Sequence, residues 1–194
     1  PHSLKNPSSI VDFILRATDH KINFATIAAP GAEYRSAAGW KEGKDWWAQM
    51  EDIDSLCRNS GKIDLLLIGN SITQGWGGSR TLTTYKPGQE AADMYFKKLK
   101  WIGAGISGER TQHVAWRLQN GHYEACKPKF VVLAIGVNNF GDNTAEEIAK
   151  GIEMDLALVE EKFPKSTILF FGPLPTGLDK DSNQRKKYNE VHQL

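Results

Sequence analysis

The chain has 194 residues, 40% of them apolar and 24% charged, with a formal net charge of +1. That length suits one domain with a sizeable core and does not by itself argue for two. The balanced charge leaves no electrostatic footprint for nucleic acid or a membrane surface, and no apolar run nears the ~20 residues that span a bilayer.

The first residue is Pro1 rather than Met. This reads as a processed or trimmed chain and tilts the expected location toward an extracytoplasmic one, with the cytoplasm as the other option. Residues 1–60 carry weak periodicity and many turn formers, as in "AAPGAEYRSAAGWKEGKDWW". They read as an irregular lead-in that packs on the main body, with a helix around residues 44–58. The aromatic residues of "DWWAQM" and "GWGG" suit either that packing or a sugar-binding platform. Cys57 and Cys126 sit far apart in sequence with no CxxC and no histidine cluster, so neither zinc nor a disulfide framework is indicated. Two packed thiols are the expectation, and a single disulfide the other option.

From residue 61 onward a regular alternation begins, and 61–194 reads as one domain. "KIDLLLIG" is a continuous apolar run of strand length, as expected of a strand covered on both faces. "AADMYFKKLK" reads as helix, "WIGAGI" as a short strand, and "TQHVAWRLQNG" as a helix stopped by Gly121. "KFVVLAIG" is a second strong strand. Thr144 and Glu147 then form a T-x-x-E capping box. Ile148, Ile152, Leu156, Val159 and Phe163 follow as an apolar stripe at helical spacing. "STILFFGP" is a third strong strand and "NQRKKYNEVHQL" begins another helix. Strands alternating with helices predict a parallel α/β sheet with helices on both faces.

In such sheets functional groups gather at the C-terminal ends of the strands. Here those ends carry Gly69-Asn70-Ser71, then Gly105 to Gly108, then Gly136-Val137-Asn138-Asn139, then Gly172-Pro173. Ser71 is the candidate nucleophile, its hydroxyl and its own N–H projecting above the sheet, although a helix N-cap would use the same residue. Gly108 lets a backbone N–H approach a ligand, or simply turns the chain into the next helix. Asn138 offers a neutral amide donor, or an ordinary left-handed turn residue. Together the N–H groups of Ser71 and Gly108 and the Asn138 amide are the donors that a tetrahedral acyl intermediate needs. Trp76, five residues beyond Ser71, is a candidate lining residue of the substrate pocket. The local Gly-x-Ser-x-Thr differs from the Gly-x-Ser-x-Gly elbow of α/β-hydrolases.

"LLLIGNSITQGW", "GISGERTQHVAWRLQNG", "VVLAIGVNN" and "NTAEEIAKGI", in that order, resemble successive blocks of the SGNH (GDSL-type) hydrolases. The likeness spans residues 60–194 and includes the alpha subunits of platelet-activating-factor acetylhydrolases and their bacterial relatives. It implies a flavodoxin-like three-layer α/β/α fold and a serine esterase that removes a short acyl group, acetyl above all, from a lipid, a carbohydrate or another small ester. It implies no metal or cofactor, no nucleic-acid partner, and a homodimer. By position, Ser71 matches the nucleophile, Gly108 and Asn138 complete the oxyanion hole, and His113 matches a structural position on the helix that follows.

Two departures stand out. The usual Gly-Asp-Ser is Gly-Asn-Ser here, and the acidic residue after the oxyanion asparagine is Asn139. More seriously, the base of these enzymes is the histidine of an Asp-x-x-His motif near the C-terminus, and the chain contains none. Its histidines are His2, His20, His113, His122 and His192, and His192 falls before the place where the motif belongs. The resemblance therefore implies that the chain stops one strand and one helix short, with the motif beyond residue 194 and this chain alone a poor enzyme. The reading from a different class is a non-catalytic ligand- or carbohydrate-binding module on the same fold.

Overall fold

A computed structural model describes residues 22–31, 37–175 and 179–194. The parts of the lead-in at 1–21 and 32–36, with His2 and His20, lie outside the described residues. Four parallel strands form the sheet: β1 (Leu65–Gly69), β2 (Trp101–Gly105), β3 (Phe130–Ala134) and β4 (Thr167–Phe171), in the order β2-β1-β3-β4. This is the start of the flavodoxin-like order 2-1-3-4-5. The register aligns the strand ends, with Gly69 beside Gly105 on one side and Ala134 on the other, and Ala134 beside Phe171.

Six α-helices connect or flank these strands among the described residues: α1 (Trp46–Ser60), α2 (Ser71–Gln74), α3 (Gln89–Tyr95), α4 (Thr111–Asn120), α5 (Ala145–Lys162) and α6 (Asn183–Val191). The capping box opens α5 as expected: Glu147 N–H donates to Thr144 Oγ1 at 3.2 Å, and Thr144 N–H to Glu147 Oε2 at 3.0 Å. Helix α3 ends earlier than its sequence suggests. Phe96 leaves the helix to pack between Trp76 and Trp101, with ring centroids 5.6 and 5.3 Å away.

The two faces of the sheet differ. Leu66, Ile68, Ile102, Ala104, Val131 and Leu133 point into a core shared with α1, α4 and α5, where the stripe residues Ile148, Ile152, Val159 and Phe163 are buried. The lead-in helix belongs to this core through Trp46, Ile53 and Cys57. Both cysteines are buried and free. A buried guanidinium also ties α1 to the sheet. Arg80 donates to the Gly105 carbonyl at 2.8 Å, to Gln49 Oε1 at 2.7 Å and to Asp52 Oδ2 at 2.8 Å. On the opposite face Leu169 and Phe171 of the edge strand β4 are about half exposed, and Phe170 on the core face is 41% exposed. Among the described residues no helix is long and apolar enough to cross a membrane.

Candidate active site

Ser71 is the first residue of α2, directly beyond β1. Close packing of this one-turn helix on the strand ends demands glycine at two places. A Cβ on Gly69 would lie 2.3 Å from Thr73 Oγ1 and 2.4 Å from the Ala134 carbonyl oxygen. One on Gly105 would lie 2.2 Å from Gln74 N and 2.6 Å from the Asn70 carbonyl oxygen. Neither glycine has the positive φ of a left-handed turn, so both answer to space rather than to backbone freedom.

The helix cap separates the two readings of the serine. Asn70 Oδ1 accepts the Ile72 N–H at 3.0 Å, so the cap is Asn70, one residue earlier. The amide oxygen suffices for this task, which accounts for Asn where the related motif has Asp. The Ser71 hydroxyl is left exposed, and neither it nor the Ser71 N–H has a hydrogen-bond partner among the described residues.

Beyond β2 the chain turns through Ile106 to Arg110, and two bonds fix its place beside β1 and α2. Ile106 N–H donates to the Gly69 carbonyl at 3.1 Å and Ser107 N–H to Gln74 Oε1 at 2.9 Å. Gly108 has φ +81°, in the left-handed region, and its N–H makes no hydrogen bond among the described residues. Asn138, in a 3-10 turn after β3, donates its Nδ2 to the Glu109 carbonyl at 2.8 Å. The left-handed residue of that turn is Gly136 (φ +108°), not Asn138. Thus two hydrogen bonds join the Ser71 helix, the Gly108 turn and the Asn138 amide.

The Glu109 side chain anchors this turn from below. It is buried and meets Arg117 in a bidentate pair, Nε to Oε1 at 2.8 Å and Nη2 to Oε2 at 2.6 Å. Trp46 Nε1 donates to the same Oε1 at 2.9 Å. Arg117 further donates to Tyr123 Oη at 2.5 Å and to the Ala104 carbonyl at 3.0 Å. Burial alone would lower the guanidinium's pKa, but Glu109 and Tyr123 outweigh it and hold Arg117 firmly protonated.

Asn139 belongs to the scaffold. Its Oδ1 accepts the Thr111 N–H at 3.1 Å at the start of α4, and its Nδ2 donates to Asn143 Oδ1 at 3.1 Å. A carboxylate would keep the first bond and lose the second, which explains an amide at this position.

Two clefts flank the strand ends. The polar one, about 550 Å³, is lined by Gly31, Trp40, Trp46, Gly108, Arg110, His113 and Asn138. The apolar one, about 540 Å³, is lined by Asn70, Ile72, Trp76, Phe96, Leu169, Phe171 and Leu174. Gly108 and Asn138 thus come together in the polar cleft, whereas Trp76 lines the apolar one, stacked on Phe96. The neighbours of Ser71 on either side, Asn70 and Ile72, also face the apolar cleft.

Sequence reasoning did not anticipate Trp40, Trp46, Arg110 and His113 in the polar cleft. His113 Nδ1 accepts the Arg110 N–H at 3.3 Å. Burial, together with the charges of Arg110 and Arg117, lowers its pKa to about 4. It is neutral at pH 7 and a weak proton acceptor, which fits a positioning role better than that of a base. Of the lead-in aromatics, Trp46 is buried edge-on between Trp47 and Trp116, at 5.0 and 5.6 Å. This is packing rather than an open platform.

Comparison with known proteins adds an independent line. Residues 67–194 match the model of the GDSL-like Lipase/Acylhydrolase family. The chain is 35% identical over 153 residues to platelet-activating factor acetylhydrolase IB subunit alpha2 of Homo sapiens, covering 79% of this chain and 62% of that protein. It therefore spans about three fifths of the length of the curated relatives it matches. Its fold is similar to that of the acetyl xylan esterase AlAXEase, with TM-score 0.51 and 23% identity over 68% of this chain and 69% of that one. It is likewise similar to the lipase/acylhydrolase from Enterococcus faecalis, with TM-score 0.51 and 19% identity over 69% and 68% of the two chains. With a family match over about two thirds of its length, the chain belongs to the GDSL-like lipase/acylhydrolase family.

Proposed function

We propose that this chain carries the nucleophile and oxyanion hole of a serine ester hydrolase that removes a short acyl group, acetyl first among them. Ser71 Oγ attacks the ester carbonyl carbon while a base takes its proton. The negative charge that develops on the carbonyl oxygen is met by the N–H groups of Ser71 and Gly108 and by the Asn138 amide. Collapse expels the alcohol, which recovers a proton from the base, and water releases the acid from the acyl-serine by the same path. The base in this reading is the histidine of an Asp-x-x-His motif beyond residue 194. His113 is unsuited to the task because its pKa is lowered to about 4.

The observation that carries the proposal is the pair of hydrogen bonds linking the three donors' segments, Ser107 N–H to Gln74 and Asn138 to the Glu109 carbonyl. Held on segments joined in this way, the exposed Ser71 hydroxyl and the unbonded N–H groups of Ser71 and Gly108 support the acyl-transfer reading. The acetyl preference takes its support from the acetylhydrolase and acetyl xylan esterase relatives. The test is hydrolysis of an activated acetyl ester by the full-length protein and its Ser71→Ala variant. The expected loss is several orders of magnitude, as for other nucleophilic serines. Equal rates would reject Ser71, and specific ester binding without turnover would favour the binding module.

A further inference from the structure

Gln74 is buried, three residues beyond Ser71 on the same turn of helix, and its amide ties that helix to two other segments, 38–40 and the turn at Ser107. Its Oε1 accepts two hydrogen bonds, from Ser107 N–H and from Trp40 Nε1, each at 2.9 Å. Its Nε2 donates to the Ala38 carbonyl at 2.8 Å. The side chain's own backbone is fixed as well, since Gln74 N–H donates to the Asn70 carbonyl at 2.8 Å and lies against Gly105. The acceptor oxygen is therefore saturated, and it is rigidly connected to the residue that carries the candidate nucleophile.

We propose that Gln74 is a positioning residue of the hydrolase site. It sets the distance between Ser71 and the Ser107–Gly108 peptide, and it couples that distance to the 38–40 segment bearing Trp40. The argument is geometric. Ser107 N–H has one partner, and that partner rides on the Ser71 helix, so the next N–H in the chain, that of Gly108, is held at a fixed height relative to Ser71. Trp40, sharing the same oxygen, carries the wall of the polar cleft with it. Misplacing a reacting group by about 1 Å can lower turnover by about 10²-fold, so an amide with this role should leave a kinetic trace out of proportion to its contribution to folding.

The proposal rests on the esterase reading for its kinetic arm only, and the test separates the two. In the full-length protein, Gln74→Met removes the shared acceptor while keeping side-chain length, and Gln74→Glu with its carboxyl protonated restores an acceptor oxygen and donates its O–H to the Ala38 carbonyl in place of Nε2. Amide and indole hydrogen exchange by NMR then reports on Ser107 N–H and Trp40 Nε1–H directly. We expect both protons to lose protection in Gln74→Met and to recover it in Gln74→Glu. We also expect kcat on an activated acetyl ester to fall about 10- to 100-fold in Gln74→Met with KM within threefold of wild type, and to be largely rescued in Gln74→Glu. Native-like near-UV circular dichroism checks that Gln74→Met has folded. If it has not, Gln74→Glu decides, measured at a pH where carboxyl NMR shows it protonated, because unprotected Ser107 and Trp40 protons or an unrescued kcat in that state overturn the proposal. A folded Gln74→Met protein with unchanged exchange, or with unchanged kcat in an enzyme that Ser71→Ala inactivates, also overturns it. A wild-type protein with no hydrolytic activity would reject the esterase reading and leave the exchange result to decide the role of Gln74.

Discussion

Replacing Glu109 by glutamine tests whether the turn bearing Gly108 is held from inside the core. The carboxylate and the Arg117 guanidinium are both almost fully buried, and two short bonds of 2.8 and 2.6 Å join them. In Glu109→Gln the remaining oxygen can still accept from Trp46 Nε1 and Arg117 Nε. The new NH₂ faces Arg117 Nη2, donor against donor, and the guanidinium charge loses its counter-charge. Removing one partner of a buried pair typically costs about 3–5 kcal/mol, because the other charge stays in a medium that solvates it poorly. Arg117 keeps its bonds to Tyr123 and to the Ala104 carbonyl, which places the expected loss near the lower end, about 3 kcal/mol. With a urea m-value of about 2 kcal/mol/M, the midpoint should fall by about 1.5 M. Urea titration followed by tryptophan fluorescence measures it, and Trp46 reports from the bond itself. A loss below about 1 kcal/mol would show that the pair is not the internal anchor argued for here.

Two further outcomes follow from other parts of the structure. Asp155 is buried on α5 with neither carboxylate oxygen hydrogen-bonded among the described residues, and burial together with nearby Glu109 raises its pKa well above the ordinary 3.8. A raised carboxyl pKa leaves stability untouched below pH 3.8 and removes it as pH climbs toward the folded-state value, by up to about 1.4 kcal/mol per pH unit. Asp155→Asn should therefore match wild type in thermal melts near pH 3.5 and exceed it at pH 8, and equal differences at both would contradict this account. Gly105→Ala would put a methyl group 2.2 Å from Gln74 N and force α2 away from β2. We expect a stability loss of about 1–3 kcal/mol and an acetyl-esterase rate about 10²-fold lower, whereas an unchanged rate would mean that the packing of α2 does not govern the site.

The four strands were legible because an apolar, β-branched run bounded by glycine or lysine is a local signal. So was the capping box of α5, whose partners lie three residues apart. The polar cleft was not, for the opposite reason. Trp40 meets Gln74 across 34 residues and Trp46 meets Glu109 across 63, and no local pattern encodes such pairs. Helix capping shows an intermediate case. Asn70 and Ser71 are both good caps, so composition leaves two answers, and only the bond to the Ile72 N–H chooses between them. Asp155 escaped notice because an apolar stripe read at spacings of three and four passes over the acid beside it. Trp76 follows Ser71 by five residues in sequence, yet it lines the apolar cleft and not the polar one that holds Gly108 and Asn138.

The match to the family model begins at residue 67, yet part of the wall beside Gly108 is made by Gly31, Trp40 and Trp46, upstream of that boundary. The 153-residue likeness to the acetylhydrolase subunit is longer than the match over 67–194, so it too reaches upstream of residue 67. The candidate nucleophile sits beside strand ends that leave no room for a methyl group at Gly69 and Gly105. The upstream wall is under no such steric rule at Trp40, whose side chain is only partly buried. Yet Trp40 bonds to Gln74 and Trp46 to Glu109, so a change of cleft shape made through the segment before β1 is transmitted to the segments bearing Ser71 and Gly108.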